Sequence, residues 1–554
     1  AVGIAAAAAA AVQLLPAVDL VRDTPRSHAF PFSLVAQWST PPVRLLDLLI
    51  PEFSGSAAGH FRLYWGTASY GWLDPFFVGI YFGLIPIALA LAALTLRLPG
   101  WKAITFTFAA ATLLALGSHT PLLRVLYALR LFSSFRYPEK FLILGIVPLM
   151  FFSAVAFDRA IGGDRSILRR ALIIATIPAA ICAILIGFSL HPSYLSQFVA
   201  FWNVAIHPGA ALMARVSRTV FLVALIRSVA SIAVLWYAVH RSPRKWAPIA
   251  IFVTLLDLGY QRLLIAETVS GDFFRVPPRA LGQIRPGVRV FHQADWYSAT
   301  PVARRYLDLP QMYWVLRNGL YPMFGATWGV PVAMNRDIDE TFIAPATDFN
   351  VAVAELRRRN VPRWFEPLMA MSAAGYRALY LPFDQQTGRF RNNVDAIEPN
   401  IFVPVRTNSI FYFADRVVNC KSRDQFIDLV ARGAATPRSA FADLVAAPLA
   451  DGRILSIRQR SNAADLDIES AGNALLVCSI TRHKYWRAAI DGHDTRLIPV
   501  NLQYQGVFVP AGRHTIRIAY RNPLLIVGAS ISIVALAALV ALMLRKGHGV
   551  RKEI

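Results

Sequence analysis

Runs of mostly apolar residues alternate with polar connections through the first half of the chain. About eight of them approach the ~20 residues that a helix needs to cross the hydrocarbon of a bilayer. They fall at 1–15, 75–96, 103–116, 141–157, 171–190, 220–237, 247–264 and 524–544; the first stops near Pro16, and the sixth and seventh each contain charge. From about 270 to 522 the texture changes to polar and turn-rich, with no spanning run. There, 288–291 predicts a strand, 351–359 a helix ending in a basic turn, and 378–381 a buried strand. Further on, 464–470 alternates as a half-buried strand does, and 474–480 is a continuous apolar strand. Asp491-Gly492 signals a tight turn. Residues 506–510 and 515–520 predict a hairpin closed by Pro510-Ala511-Gly512.

The expected fold is a polytopic α-helical membrane protein of about eight spanning helices, with an external α/β domain ending in a small β-sandwich. Residues 1–269 form the multi-spanning part and 270–460 an external mixed α/β region. Residues 461–522 are external and sandwich-like, and 523–554 are the terminal spanning helix with a basic cytoplasmic tail.

Composition supports a membrane protein over a soluble enzyme. Of 554 residues, 56% are hydrophobic and only 16% charged, where a soluble domain holds about a quarter charged. Lysine and arginine number 56 against 33 acidic residues, a net charge of +23. On a hydrophobic chain that excess points to topology and anionic lipid, not to nucleic acid. Basic residues cluster in short connections: Arg97 and Lys102; Arg159, Arg165, Arg169 and Arg170; Arg241, Arg244 and Lys245; Arg545, Lys546, Arg551 and Lys552. Alternation around eight crossings puts all four groups on one side, which the positive-inside rule makes cytoplasmic. The chain is then a multi-pass membrane protein with its large domain on the external face. Three cysteines exclude a disulfide framework or a cysteine-rich metal cluster. Cys420 and Cys478 share the external region, yet Cys478 lies in an apolar strand and need be no more than core. Because the chain opens on Ala1 inside an apolar run, it reads as processed or truncated at its front.

Residues 473–520, NALLVCSITRHKYWRAAIDGHDTRLIPVNLQYQGVFVPAGRHTIRIAY, resemble the end of YfhO-type bacterial membrane proteins. The shared features are an aromatic-Trp-x-Ala-x-x-Asp-Gly strand and turn and a Gly-Val-x-Val-Pro-Ala-Gly-x-His-Thr segment, here Gly506–Thr515, before a terminal spanning helix. VQLLPAVDLVRDTPRS at 12–27, FRYPEKF at 135–141 and TLLDLG at 254–259 resemble the same family. The resemblance implies a glycosyltransferase-like protein of the GT-C architecture. Such proteins move a sugar from a polyprenyl-phosphate carrier to a cell-envelope glycan acceptor, teichoic acid among them, on the outer face. It also implies further spanning helices, and a catalytic carboxylate loop, ahead of the point where this sequence starts.

Nucleotide loops, His-Glu-x-x-His, Cys-x-x-Cys and Gly-x-Ser-x-Gly are absent. No catalytic residue, metal ligand or cofactor is assignable, and a divalent cation stays open. The loop 117–140 carries His119, Arg124, Arg130, Arg136, Tyr137, Glu139 and Lys140 with interleaved aromatics. Arg and Lys clamps stabilise an anionic phosphate leaving group, and aromatics suit the interface where a lipid head lies. The alternatives are an interfacial helix meeting lipid phosphates non-specifically, and internal ion pairing. The resemblance adds weight to Arg136, Tyr137, Glu139 and Lys140.

The stretch 17–74 offers Asp19, Arg22, Asp23, Arg26, Asp47, Glu52, His60 and Arg62, with Trp38, Tyr64, Trp65, Tyr70 and Trp72 as sugar-stacking or membrane-belt aromatics. Asp23 and Glu52 are candidate acid/base carboxylates for an acceptor hydroxyl, set against ordinary solvated or paired loop acids. Arg227 and Asp257 both fall roughly 10 Å deep in the sixth and seventh spans, so mutual pairing is the economical reading and a proton or ion relay its rival. The competing functions are therefore an outer-face sugar transferase, a non-catalytic scaffold or assembly factor for envelope polymers, and a transporter.

Overall fold

The structure, a computed structural model, describes residues 2–55, 64–71, 75–204, 209–241, 243–265, 268–292, 309–335, 337, 340–361, 364–380, 383–384, 389–390, 400–445 and 449–550. His60, Arg62, Trp72, Leu381, Arg551 and Lys552 lie outside them.

The apolar runs become helices α1 (Val2–Ala9), α2 (Ala11–Arg22), α3 (Leu84–Thr95), α4 (Trp101–Ala115), α5 (Leu142–Ile161), α6 (Arg165–Ser189), α7 (Ala210–His240) and α8 (Pro243–Ile265). Among the described residues, five helices are long and apolar enough to cross a membrane, or six if the bent pair α1–α2 counts as one span. The other two, α3 and α4, are apolar but only 12 and 15 residues long. The expected run 75–96 is thus half helix: residues 75–83 have no regular structure before α3 starts. Their sequence, PFFVGIYFG, is apolar enough for the membrane but built from aromatic, β-branched and glycine residues that favour helix poorly. The first run differs as well. It breaks at Ala10 with an 84° bend and continues through Pro16 to Arg22.

Alanines let the helices approach closely. Ala88 and Ala92 of α3, Ala156 and Ala160 of α5, Ala171 and Ala175 of α6 and Ala238 of α7 share one fully buried core with Leu235 and Trp246. The break between α1 and α2 lies against Gly528, where a Cβ would stand 2.5 Å from the Ala11 carbonyl oxygen. Backbone cannot yield to that, so the position requires glycine.

The C-terminal half is mixed and then β. Strands β1 (Arg289–His292), β2 (Ala374–Tyr380) and β3 (Asn400–Pro404) form one sheet in the order β1-β2-β3. Next come β4 (Phe411–Phe413), β5 (Arg416–Asn419), β6 (Ser439–Ala442), β7 (Gly452–Arg460), β8 (Ala463–Ser470), β9 (Ala474–Cys478), β10 (Trp486–Ile490), β11 (His493–Thr495), β12 (Ile498–Val500), β13 (Tyr504–Val509) and β14 (Gly512–Tyr520). Nine of them assemble as a five-stranded sheet, β11-β10-β14-β8-β7, facing a four-stranded sheet, β12-β13-β9-β4, while β5 and β6 pair in parallel with each other. Leu466, Ile468, Ile516 and Ile518 of the first interdigitate with Leu476, Cys478, Val507 and Val509 of the second. Both sheets draw on segments before residue 461.

Helices α9 (Ala344–Arg358) and α10 (Arg423–Ala431) cover the other face of the four-stranded sheet, where Phe349, Leu356 and Phe426 meet Leu475 and Val477. β9 is therefore buried on both faces and reads as unbroken apolar sequence. β8, with Asp465, Asp467 and Glu469 outward, alternates. The Asp491-Gly492 turn joins β10 to β11 with φ of 51° and 82°. The expected hairpin at 506–520 is not one. β13 pairs with β9 and β12, β14 with β8 and β10, so Pro510-Ala511 carries the chain from one sheet to the other. Two strands facing across a core share the alternation of two strands paired edge to edge, and the turn residues alone do not separate them.

The last helix, α11 (Pro523–Val550), returns through the helical layer against α1 and α2, where Val12 donates to Ser532 Oγ at 3.0 Å. Alternation of the helices places the end of α2, the stretches 24–55 and 116–141, and the described β-rich region at one face of the layer. The short basic connections lie at the other.

Candidate functional site

The residues singled out in the loop 117–140 do not converge. His119 is exposed at a short turn, and Arg124 and Arg130 are exposed around the helix Pro121–Ala128. Arg124 lies over the Phe32 ring at 5.3 Å. Leu129, Leu131 and Phe135 are more than half exposed beside them, as on an element lying in a membrane interface.

Arg136, Tyr137 and Lys140 do gather. The Arg136 guanidinium is 4.6 Å and the Lys140 ammonium 4.5 Å from the Tyr137 ring centroid, and Lys140 is also 5.2 Å from that of Phe76. Phe76 stacks on Tyr137 at 5.4 Å, and Trp38 closes the group edge-on at 4.8 Å. Tyr137 takes a left-handed φ of 66°, which turns the chain into the first turn of the span. Lys140 is exposed above this aromatic floor.

Glu139 points the other way and is wholly buried. It accepts from the Tyr70 hydroxyl and from the Phe76 amide, both at 3.1 Å. Arg44, buried and ion-paired with Asp47, donates to the carbonyls of Phe77 at 2.7 Å and Val78 at 3.1 Å. These charges satisfy the backbone of the irregular stretch 75–83, which has no helical bonds of its own. Deep in the layer, Arg227 Nε binds Asp257, Nη1 donates to Gln261 Oε1 at 2.9 Å, and Nη2 to the Asp257 carbonyl at 3.1 Å. The Tyr81 hydroxyl donates to Asp257 Oδ2 at 2.5 Å. The pair locks α7, α8 and the irregular stretch together.

The two acid/base candidates are far apart in role. Glu52 sits half-buried in a turn with φ of 61°. Asp23, at the end of α2, lines a cleft of about 890 Å³ between that helix end, the first turn of α9 and the edge of the sandwich. None of the residues 117–140 lines it, nor does Glu52.

Local hydrogen bonds build this cleft. Thr24 Oγ1 donates to the Val21 carbonyl at 2.8 Å and accepts from the Arg26 amide at 3.3 Å, turning the chain after α2. The Ala344 amide donates to the Asp23 carbonyl at 2.9 Å, tying α9 to that turn. Opposite, Arg482 is held by its amide to the Gln503 carbonyl at 2.8 Å and by Nε to the Leu502 carbonyl at 3.2 Å.

Lys484 Nζ lies 2.8 Å from Asp19 Oδ1 and 2.7 Å from Asp23 Oδ2. Those bonds hold its ammonium well above the usual lysine range, and it occupies the place a cation would take between two carboxylates. Tyr485 donates to Asp19 Oδ2 at 2.9 Å. His483 Nδ1 accepts from the Tyr485 amide at 3.3 Å, and Nε2 faces Asp23 at 3.6 Å. Burial pushes His483 below the ordinary histidine value, so near pH 7 it is neutral with its proton on Nε2.

The sequence reading missed Arg482, Lys484, Arg487 and Arg496, which line the cleft. Their signal was present: TRHKYWR at 481–487 interleaves basic and aromatic residues. The partners across the cleft are more than 100 residues away or at the front of the chain, which periodicity does not reveal. Among the described residues no group of three His, Cys, Asp or Glu side chains is placed to hold a metal ion. Cys420 and Cys478 are buried free thiols.

No curated protein and no solved structure matches the chain. Residues 446–532, from just before β7 through the first turns of α11, match the family described as bacterial membrane protein YfhO.

Proposed function

We propose that the chain takes part in transfer of a sugar from a polyprenyl-phosphate carrier to an envelope glycan at the outer face of a bacterial plasma membrane. The observation that carries this reading is the Arg136–Tyr137–Lys140 group. Two cations are held over aromatic rings at the end of the span Pro138–Ile161, on the same face as the β-rich region. Aromatic rings hold cations in place, and the positive end of a helix adds to the attraction for phosphate. A lipid phosphate arriving in the membrane plane meets these groups before any other part of the site. The glycan acceptor then approaches from the β-rich side.

Full-length protein with a labelled polyprenyl-phosphate sugar tests this. Arg136→Ala together with Lys140→Ala should abolish carrier binding; unchanged affinity would sink the assignment. A second reading, a scaffold that holds carrier or polymer without transferring sugar, is favoured by the engagement of Asp23 with Lys484 and of Glu139 with Tyr70 and Phe76. Carrier binding without any sugar transfer to envelope glycan would select it.

A further inference from the structure

We propose that the cleft at the sandwich edge is a binding site for an acidic saccharide, a glycan segment bearing carboxylate or phosphate groups. It rests on the envelope-glycan reading above only for what the binding serves.

Four guanidinium groups line the cleft: Arg22 from the end of α2, and Arg482, Arg487 and Arg496 from the sandwich. Among the described residues none of the four forms an ion pair with a carboxylate of the chain, whereas both acids in the lining are occupied. Asp23 is paired with Lys484 at 2.7 Å and Asp348 with Arg423 at 3.2 Å. Like charges gathered on a concave wall repel one another, and a bound anion relieves this through charge-assisted, bidentate hydrogen bonds.

Size argues for more than an inorganic ion. A volume of about 890 Å³ lies at the upper end of the ~300–1,000 Å³ of pockets that enclose drug-sized molecules. Trp486 contributes an aromatic wall, held edge-on against Tyr520 at 5.4 Å. Rigid aromatics of this kind supply contact area at low entropic cost. A lipid headgroup fits less well. Of the four arginines only Arg22 stands at a helix end, Lys484 is committed to Asp19 and Asp23, and Arg482, Arg487 and Arg496 stand on the sandwich.

The test uses the full chain in detergent micelles with no carrier present, so its result is independent of the lipid-phosphate assignment. Tryptophan fluorescence and calorimetry would follow hexagalacturonate and glucose 6-phosphate, with maltohexaose as the uncharged control. At least one acidic probe should bind about tenfold or more tightly than maltohexaose, with affinity that falls as salt rises. Whichever acidic probe binds better names the anionic group. Arg487→Ala with Arg496→Ala, both exposed positions, should weaken that binding about tenfold or more with an unchanged melting temperature, and Arg496→Glu alone should weaken it too. Equal affinity for neutral and acidic probes, no binding of either acidic probe, or affinity indifferent to these substitutions overturns the proposal. So does binding confined to nanodiscs of anionic phospholipid, which would make the cleft a lipid-headgroup surface.

Discussion

The helical layer and the cleft hold charge in opposite ways. Among the described residues of the layer the buried charges are committed to protein: Arg44 to Asp47 and two carbonyls, Glu139 to Tyr70 and Phe76, Arg227 to Asp257 and Gln261. In the cleft none of the four arginines is ion-paired to a carboxylate among the described residues, though Arg482 donates to the Leu502 carbonyl and Arg487 to those of Lys484 and Trp486, while the lining carboxylates are already paired. A buried charge without a partner is far more costly than an exposed one, so within the membrane pairing is a condition of folding. At a solvent-facing wall an unmatched arginine is tolerated and stays available to a ligand. The same excess of basic residues therefore does two kinds of work.

The largest effect should come from splitting the intramembrane pair. Asp257→Asn leaves Arg227 buried without its counter-ion and should destabilise by about 3–5 kcal/mol, read as thermal unfolding in detergent. Replacing both partners, Arg227→Met with Asp257→Leu, should recover most of that loss. A fully stable Asp257→Asn would show the pair to be no lock and would reopen the relay reading. Next in size is Glu139. Glu139→Ala orphans the Phe76 amide and the Tyr70 hydroxyl and should cost about 1–3 kcal/mol. Glu139→Gln, which keeps an acceptor, should cost less. If both variants kept full stability and lost only carrier binding, Glu139 would belong with Lys140 at the ligand.

A smaller effect separates the sandwich from both regions. Asp491 Oδ2 bonds His514 Nδ1 at 2.6 Å, and Oδ1 accepts from the Thr515 amide at 2.8 Å, pinning the β10–β11 turn to the start of β14. The carboxylate raises His514 above the ordinary histidine value, and the histidine lowers Asp491 below the ordinary carboxylate value. The histidine's contribution is full below its unfolded pKa of about 6.5 and lost as pH rises through the raised native value. The aspartate's is full above about 3.9 and lost as pH falls through its lowered one. The pair is thus strongest between about pH 4 and 6.5, and His514→Gln should flatten the decline in melting temperature above that window. An unaltered pH profile would remove the pair from the stability of the sandwich.

Local pattern carried much of the fold. The apolar runs located every long helix, and the contrast between alternating 464–470 and continuous 474–480 reflects one sheet face in water and one sheet covered twice. The Asp-Gly and Gly-x-His-Thr features behind the family resemblance are the two halves of the Asp491–His514 clamp. What pattern did not carry is non-local. Apolar composition fixes depth in the membrane, not helicity, so 75–83 read as span; Glu139 read as part of a phosphate loop because its partners lie some 60 residues earlier. The cleft joins residues 22, 348 and 496, and no window of sequence contains them together.

The smallest expected change is the sharpest test of the comparison. Arg496 is exposed, and no carboxylate among the described residues pairs with it. Removing it deletes no ion pair and slightly relieves repulsion among the cleft arginines, so Arg496→Ala should leave stability within about 0.5 kcal/mol of the parent chain. A denaturation midpoint in detergent measures this directly. A loss above about 1 kcal/mol would mean that the guanidinium is bound up in the fold, as Arg44 is. The cleft arginines would then be structural charges like those of the helical layer, and their availability to a ligand would have to be given up.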